Sequence, residues 1–194
     1  MTPRISIVTP SFNQAPYLEA TLRSVLEQGY PDLEYIVMDG GSTDGSVDIL
    51  RSHASCLSYW TSAHDAGQAD AINRGLARST GEILAYLNSD DVYLPGALAR
   101  VAAHFAAHPE ADLVYGDYVY LDEQGRVLQH FQAPPFEAAA LVLGNTVSQP
   151  TVFVRRRAWE RVGPFDAALH CVMDLDYWLR AAVAGLRFER VPAE

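Results

Sequence analysis

Ile83-Leu84-Ala85-Tyr86-Leu87-Asn88-Ser89-Asp90-Asp91 is the stretch whose reading decides the fold. From Ile83 to Leu87 the residues are mostly apolar and do not alternate, the pattern of a strand buried on both faces. The run stops at Asn88 and hands over to two adjacent carboxylates, and Pro95 then opens a helical pattern, a first-turn position that proline tolerates. In an open α/β sheet, ligands bind just outside the carboxyl ends of the strands. A strand that delivers Asp90 and Asp91 to that edge brings together two charges that repel unless a cation or hydrogen-bond donors hold them. A hard divalent ion with phosphate oxygens as its other ligands meets that need, and magnesium typically binds that way.

Upstream, strand and helix patterns alternate. Ile5 to Pro10 reads as a first strand closed by Ser11-Phe12-Asn13, and Leu18, Leu22, Val25 and Leu26 share one helix face. Leu33 to Met38 is a second strand, followed by the glycine-rich turn Asp39 to Ser46 and a short helix carrying Val47, Ile49 and Leu50. Leu57 to Thr61 is a third strand, and Asp65-Ala66-Gly67 opens a helix that buries Ala71, Ile72 and Leu76. Downstream, a helix from Pro95 to His108 buries Leu98, Val101, Ala102 and Phe105. This alternation implies an α/β fold with a mostly parallel central sheet and helices on both faces.

The second half changes character. Asp112 to Leu121 and Arg126 to Phe131 read as a small antiparallel hairpin about Asp122-Glu123-Gln124-Gly125. Val152 to Val154 is a short strand, Arg155 to Arg157 lead into a helix, and a last helix starting near Asp174 offers Leu175, Leu179 and Ala182, with Trp178 alongside, to the core. Phe188 to Val191 is a final strand, after which the chain stops without a finishing element, so C-terminal truncation is expected. The length fits a single domain over residues 1–194, with one half to about residue 110 and the other from about 111.

Composition narrows the function. With 49% hydrophobic and 20% charged residues the chain is that of an ordinary globular protein. A net charge of -10 argues against nucleic acid as a partner, and an anionic ligand would need a metal or local donors. No stretch approaches the roughly 20 apolar residues of a membrane span. Met1 to Arg4 begins no signal peptide, and Cys56 and Cys171 form no motif, so the expectation is cytoplasmic, with peripheral membrane association left open. His53, His64, His104, His108, His130 and His170 show no metal spacing, and His104 and His108 are expected in an ordinary surface helix with no third ligand nearby.

Three stretches carry chemistry, each with a plain alternative. Asp39 to Ser46 follows a strand, but no lysine makes it a phosphate-cradling loop and it does not follow the first strand as a dinucleotide fingerprint would. Its glycines can turn tightly against a flat ligand while Asp39 accepts from a base or ribose; equally, it is a strand-to-helix turn with Asp44 as cap. Asp65 and Arg74 either reach a nucleotide and its phosphates, or are a helix cap and a surface charge paired with Asp70. Asp174 stands in a first helical turn, where the helix dipole already favours a carboxylate.

Together these stretches resemble family 2 glycosyltransferases over nearly the whole chain. The resemblance rests on Thr9-Pro10-Ser11-Phe12-Asn13, Ser24 to Gln28, Glu34 to Gly45, Asp65-Ala66-Gly67-Gln68 through Asn73-Arg74-Gly75, Leu87 to Asp91, and Gly163 to Asp166 with Met173 to Arg180. It implies a GT-A fold, a nucleotide-diphosphate-sugar donor, a saccharide or lipid-linked saccharide acceptor of the cell envelope, and inversion at the anomeric carbon. Carried over, Pro10, Ser11, Asn13, Asp39, Asp65, Gln68, Arg74, Asn88 and Ser89 would bind the nucleotide, Asp90 and Asp91 a manganese or magnesium ion, and Asp174 would be the general base. Two positions depart from the pattern: Asn88 stands at the first acidic position of the metal motif, and Met173 precedes Asp174 where the family carries an acidic pair. Family chains usually continue past the equivalent of Pro192-Ala193-Glu194 with a segment that helps close the site. The rival readings are a catalytically degenerate sugar-nucleotide binding module, separated by measuring turnover against binding, and a nucleotidyltransferase. The latter wants a basic, glycine-rich loop after the first strand, which Thr9 to Gln14 lacks.

Overall fold

A computed structural model describes residues 2–191. Pro192, Ala193 and Glu194, where the expectation of a truncated end falls, lie outside the described residues. Strands β1 (Ile5–Ser11), β2 (Leu33–Asp39), β3 (Tyr59–Ser62) and β4 (Ile83–Tyr86) alternate with helices α1 (Ala15–Leu26), α2 (Ser46–His53) and α3 (Gln68–Arg78). β1 is paired in parallel with β2 on one side and β4 on the other, and β3 continues the parallel order beyond β2. After α4 (Ala97–Ala107), strands β5 (Leu113–Gly116), β8 (Phe153–Arg155) and β9 (Phe188–Val191) extend the sheet. β8 runs antiparallel between β4 and β5, which leaves β5 and β9 parallel to the first four. The sheet thus has seven strands in the order β3-β2-β1-β4-β8-β5-β9, and β6 (Tyr118–Leu121) with β7 (Val127–Phe131) forms a separate hairpin. The remaining helices are α5 (Ala138–Leu141), α6 (Arg156–Val162) and α7 (Met173–Val183).

The apolar run from Ile83 to Leu87, unpatterned in sequence, divides between two cores because successive strand residues face opposite ways. Ile83, Ala85 and Leu87 join Ile5, Ile7, Tyr35 and Val37 under α1 and α4. Leu84 and Tyr86 join Val8, Ile36 and Met38 under α3 and α7. Both faces are covered, as a mostly parallel sheet requires. α3 sits closest: a Cβ on Gly75 would come within 2.5 Å of Val8 Cγ1 and 3.2 Å of Met38 Cγ, so only glycine lets the helix settle on β1 and β2 at this height.

Three expectations need correction. Pro95 does not open α4; Gly96 follows it with φ +80°, and this left-handed turn delays the helix to Ala97. Asp112 to Leu121 is not one hairpin arm. The chain breaks at Asp117, whose Oδ1 accepts from Ala133 N at 2.8 Å and from Arg190 at 3.0 Å, so β5 stays in the main sheet and only β6 belongs to the hairpin. On α7 the buried stripe is Met173, Tyr177, Trp178 and Ala181, with Leu175, Leu179 and Ala182 only partly buried at its flanks. The large rings take the core because Tyr177 meets both Trp159 and Phe165, at 5.4 and 4.7 Å between centroids.

Candidate active site

The loops that leave β1, β2 and β3 are built around Asp39. In the sheet register Ser11 stands beside Asp39 and Asp39 beside Ser62, so three strand ends finish level. The Asp39 side chain is buried, and its Oδ2 accepts from Gly41 N at 3.1 Å, Ser42 N at 2.9 Å and Ser62 Oγ at 2.6 Å. Its Oδ1 accepts from Ser42 Oγ at 2.5 Å. The glycine-rich turn is therefore folded around this carboxylate, and Gly41 takes the left-handed φ of +89° that the turn demands. The loop after β1 is laced to it. Asn13, at φ +52°, donates its N–H to Ser42 Oγ at 2.8 Å and accepts from Thr43 N at 2.9 Å. Asp44 joins the same lacing, since the Ser46 hydroxyl and then the Ala15 N–H donate to it and hold its carboxyl below the usual range. A side chain at Gly40 would run into Asp65 Oδ2 at 3.0 Å and Phe12 Cδ2 at 3.3 Å, so all three loops close on one point. Pro10 is buried opposite Met38, and the buried Ser11 hydroxyl has no hydrogen-bond partner among the described residues.

Asn88, just past β4, is the hub of the second half of the site. Its Oδ1 accepts from Gln68 Nε2 at 2.6 Å, and its Nδ2 donates to Asp91 Oδ2 at 3.2 Å and Gln149 Oε1 at 3.3 Å. Gln149 is buried and in turn donates to the Tyr86 carbonyl at 2.8 Å. Ser89 is buried and Asp90 is exposed beside it. Burial, and then the adjacent Asp90, push the Asp91 carboxyl up to about 6. A half-buried carboxylate raised in this way, with an exposed second one next to it, is an oxygen donor set that fits a hard divalent cation.

Asp174 sits in the first turn of α7, where its Oδ2 accepts from Asn145 Nδ2 at 2.8 Å. Asp176 is committed elsewhere: it pairs with Arg180 Nε at 2.8 Å, and the same guanidinium donates to the Val162 and Pro164 carbonyls. The buried phenol of Tyr86, at the end of β4, is driven well above its ordinary range by burial, then by Asp174 and then by Asp91. A cavity of about 720 Å³ opens beside Asp90 and Asp91 and is walled by Asp117, Tyr118, Tyr120 and Phe131.

The structure does not gather every expected residue. Arg74 pairs with Asp70 at 3.6 Å on α3, the plain surface arrangement. Asp65 accepts from Gly67 N at 2.9 Å but does not cap α3 directly, because the N-cap is Gly67 at φ +108°. His104 and His108 do have a third group nearby, Glu189 on β9, brought in by tertiary folding far from their place in sequence. Asn145, Gln149, Ser42 and Ser62 join the site without having been expected there. Asn145 and Gln149 lie in Gly144 to Pro150, whose one signal is a polar run just ahead of a buried strand. Cys56 and Cys171 are free thiols, and among the described residues no helix is long and apolar enough to cross a membrane.

Comparison with known proteins agrees with this architecture. The family described as glycosyl transferase family 2 matches residues 6–168. A PGL/p-HBAD biosynthesis glycosyltransferase of Mycobacterium bovis is 34% identical over 182 residues, covering 92% of this chain and 69% of the relative. The S. aureus TarS 1-349 crystal structure superposes with a TM-score of 0.77 at 20% identity, covering 98% of this chain and 58% of that one. A mannosyltransferase from Pyrobaculum calidifontis, solved with GDP-Man and Mn2+, gives 0.74 at 24% identity, covering 99% of this chain and 55% of that one. At these identities the solved structures establish the GT-A fold alone, and the chain spans little more than half of each. The family match and the M. bovis relative carry the assignment further: the chain belongs to glycosyl transferase family 2.

Proposed function

We propose that the protein is an inverting glycosyltransferase, moving a sugar from a nucleotide-diphosphate-sugar to a hydroxyl of a saccharide or lipid-linked saccharide, with Asp174 as general base. One observation carries the reading: the stretch from Gly144 to Pro150 ties the two acidic positions together, with Gln149 accepting from Asn88 beside Asp90 and Asp91 and Asn145 donating to Asp174. The loops around Asp39 and Asp65 form the nucleotide side, with Pro10, Ser11, Asn13, Gln68, Asn88 and Ser89 around them. TarS has been solved with UDP and with UDP-GlcNAc, and the mannosyltransferase with GDP-Man, which supports a nucleotide-sugar donor here. Asp90 and Asp91 would hold a divalent cation, manganese or magnesium, and the Mn2+ in the mannosyltransferase supports that choice. When bound, such an ion neutralises charge on a leaving diphosphate.

The rest follows from the chain's own residues. The acceptor's hydroxyl oxygen attacks the anomeric carbon as the bond to the diphosphate breaks. Asp174 takes the hydroxyl proton. Holding acceptor and donor in line replaces an entropically costly encounter. Asn145 fixes one oxygen of Asp174 and so orients the other. The test is single-turnover transfer at saturating donor, beside a donor titration. Asp174→Asn should keep donor affinity within a few-fold and lose roughly 100-fold or more in transfer, whereas Asp176→Asn, which breaks only the Arg180 pair, should transfer normally. Near-normal transfer by Asp174→Asn removes it as the base. Donor binding without any turnover in the parent protein, acceptor being present, would favour a binding module instead.

A further inference from the structure

The functional reading leaves unused a cluster at the far end of α4. This helix leaves the carboxyl edge of the sheet after β4 and runs back toward the amino edge, a length of roughly 16 Å. His104 lies in its last turn and His108 just past it, where the His108 carbonyl accepts from Arg155. Both imidazoles meet Glu189 of edge strand β9. His104 Nε2 is 3.0 Å and His108 Nδ1 3.1 Å from the same oxygen, Glu189 Oε2. The rings stack with centroids 4.3 Å apart and planes 12° from parallel. The other carboxylate oxygen, Oε1, is held by Arg187 Nε at 3.0 Å, which leaves Oε2 aimed at the histidines. Glu110 lies at the rim, 4.0 Å from His108 Nδ1 and 3.4 Å from Arg187.

We propose that His104, His108 and Glu189 form a second divalent-metal site, distinct from the Asp90–Asp91 pair, which takes a borderline ion such as zinc and ties the end of α4 to β9. Two nitrogens and one carboxylate oxygen are a ligand set for zinc, cobalt or nickel, while magnesium prefers oxygen alone. The two nitrogen–oxygen separations, 3.0 and 3.1 Å, are close to the roughly 3.3 Å between ligand atoms around a tetrahedral zinc, and all three ligand atoms lie within 4.8 Å of one another. Arg187 on Oε1 is the kind of outer partner that orients a ligating carboxylate, and Glu110 offsets its positive charge. In-plane coordination requires the stacked rings to open, and His108, with 43% of its side chain exposed, has room to turn. With three protein ligands the fourth position falls to water or to Glu110.

The competing reading is a hydrogen-bonded cluster in which both histidines donate to Glu189 and no ion binds. Zinc titration by calorimetry on chelator-treated protein separates them, using the parent, His104→Ala/His108→Ala, Glu189→Gln and Asp90→Asn. The expected result is one zinc per chain, kept in Asp90→Asn and weakened at least about 100-fold in the double histidine variant, beyond the loss typical of an outer-shell change. Zinc at a hundredfold excess over its Kd should raise the parent's Tm by about 5 °C or more and leave the double variant's unchanged. If the double variant folds poorly, histidine-ring NMR of the parent decides, with zinc shifting the His104 and His108 resonances first. Equal zinc affinity in parent and double variant, loss of binding only in Asp90→Asn, or shifts confined to His53, His64, His130 and His170 would each overturn the site.

Discussion

Asn145 Nδ2 donates to Asp174 Oδ2 at 2.8 Å, joining the loop that follows α5 to the first turn of α7. The bond holds the carboxylate in one rotamer while Asp176, two residues on, is held away by Arg180. A hydrogen bond to a charged group contributes on the order of 1.5–3 kcal/mol, part of which water restores when the donor is removed. Asn145→Ala should therefore lower the transfer rate by about 10-fold and leave donor affinity unchanged. Single-turnover transfer beside a donor titration checks this, and an unchanged rate would mean that Asp174 needs no orienting partner.

Asp39 carries two duties that one substitution must separate. Its carboxylate accepts four donors from its own loop and from β3, so truncation orphans buried donors before any ligand is considered. Asp39→Ala should lower the Tm measurably, at about 1–3 kcal/mol for each orphaned group that water cannot reach. Measured well below that Tm, nucleoside-diphosphate affinity should also fall by about 10-fold or more, with its metal dependence intact. If the affinities for uridine, guanosine and thymidine diphosphates all stay at the parent value, Asp39 only folds the turn.

What can be read from sequence is what periodicity and strand ends encode. β1 to β4, the carboxyl-edge position of Asp39 and Asp90, and the helix bearing Asp174 follow from local patterns, because each signal lies within a few residues of its consequence. Long-range partners leave no such trace. Glu189 approaches His104 across 85 positions, and Gln149 reaches the Tyr86 carbonyl across 63. Pairings of that separation are created by sheet order, and β8 sits between β4 and β5 against the chain order. The face of α7 departs from expectation for another reason. Counting aliphatic residues favours Leu175 and Leu179 with Trp178 only alongside, whereas the bulk of Trp178 together with Tyr177 decides which side fills the core.

Gly75 tests the fold apart from the site. An added methyl would overlap Val8 Cγ1 at 2.5 Å and press on Met38 Cγ, and neither branch has space to retreat in a buried core. The higher helix propensity of alanine, worth about 1 kcal/mol, works the other way. Overpacking costs typically about 1–3 kcal/mol, so Gly75→Ala should come out net destabilised, with α3 lifted from β1. Denaturant unfolding at constant m-value measures it. A stabilised variant would show that the helix–sheet distance is freely adjustable.

Asp91 makes stability depend on pH in a direction opposite to most carboxylates. Its folded value of about 6, set by burial and then by Asp90, lies above the unfolded value of about 3.9. Between these values the native state binds more protons than the unfolded chain, so this group's contribution falls as pH rises and then levels off above about 6. The gap between the two values corresponds to at most about 3 kcal/mol, and partial exposure brings the expected penalty at neutral pH to about 1–3 kcal/mol. Asp91→Asn removes the charge and keeps an oxygen to accept from Asn88 Nδ2. Without divalent metal the variant should therefore be more stable than the parent at pH 7.5, and the gain should shrink toward pH 4.5. Added manganese should stabilise the parent more than the variant, because the second carboxylate is gone. Denaturant midpoints at the two pH values, with and without manganese, give all four numbers. A gain independent of pH, or a variant less stable than the parent at pH 7.5 without metal, would show that the Asp91 charge is already compensated by the fold.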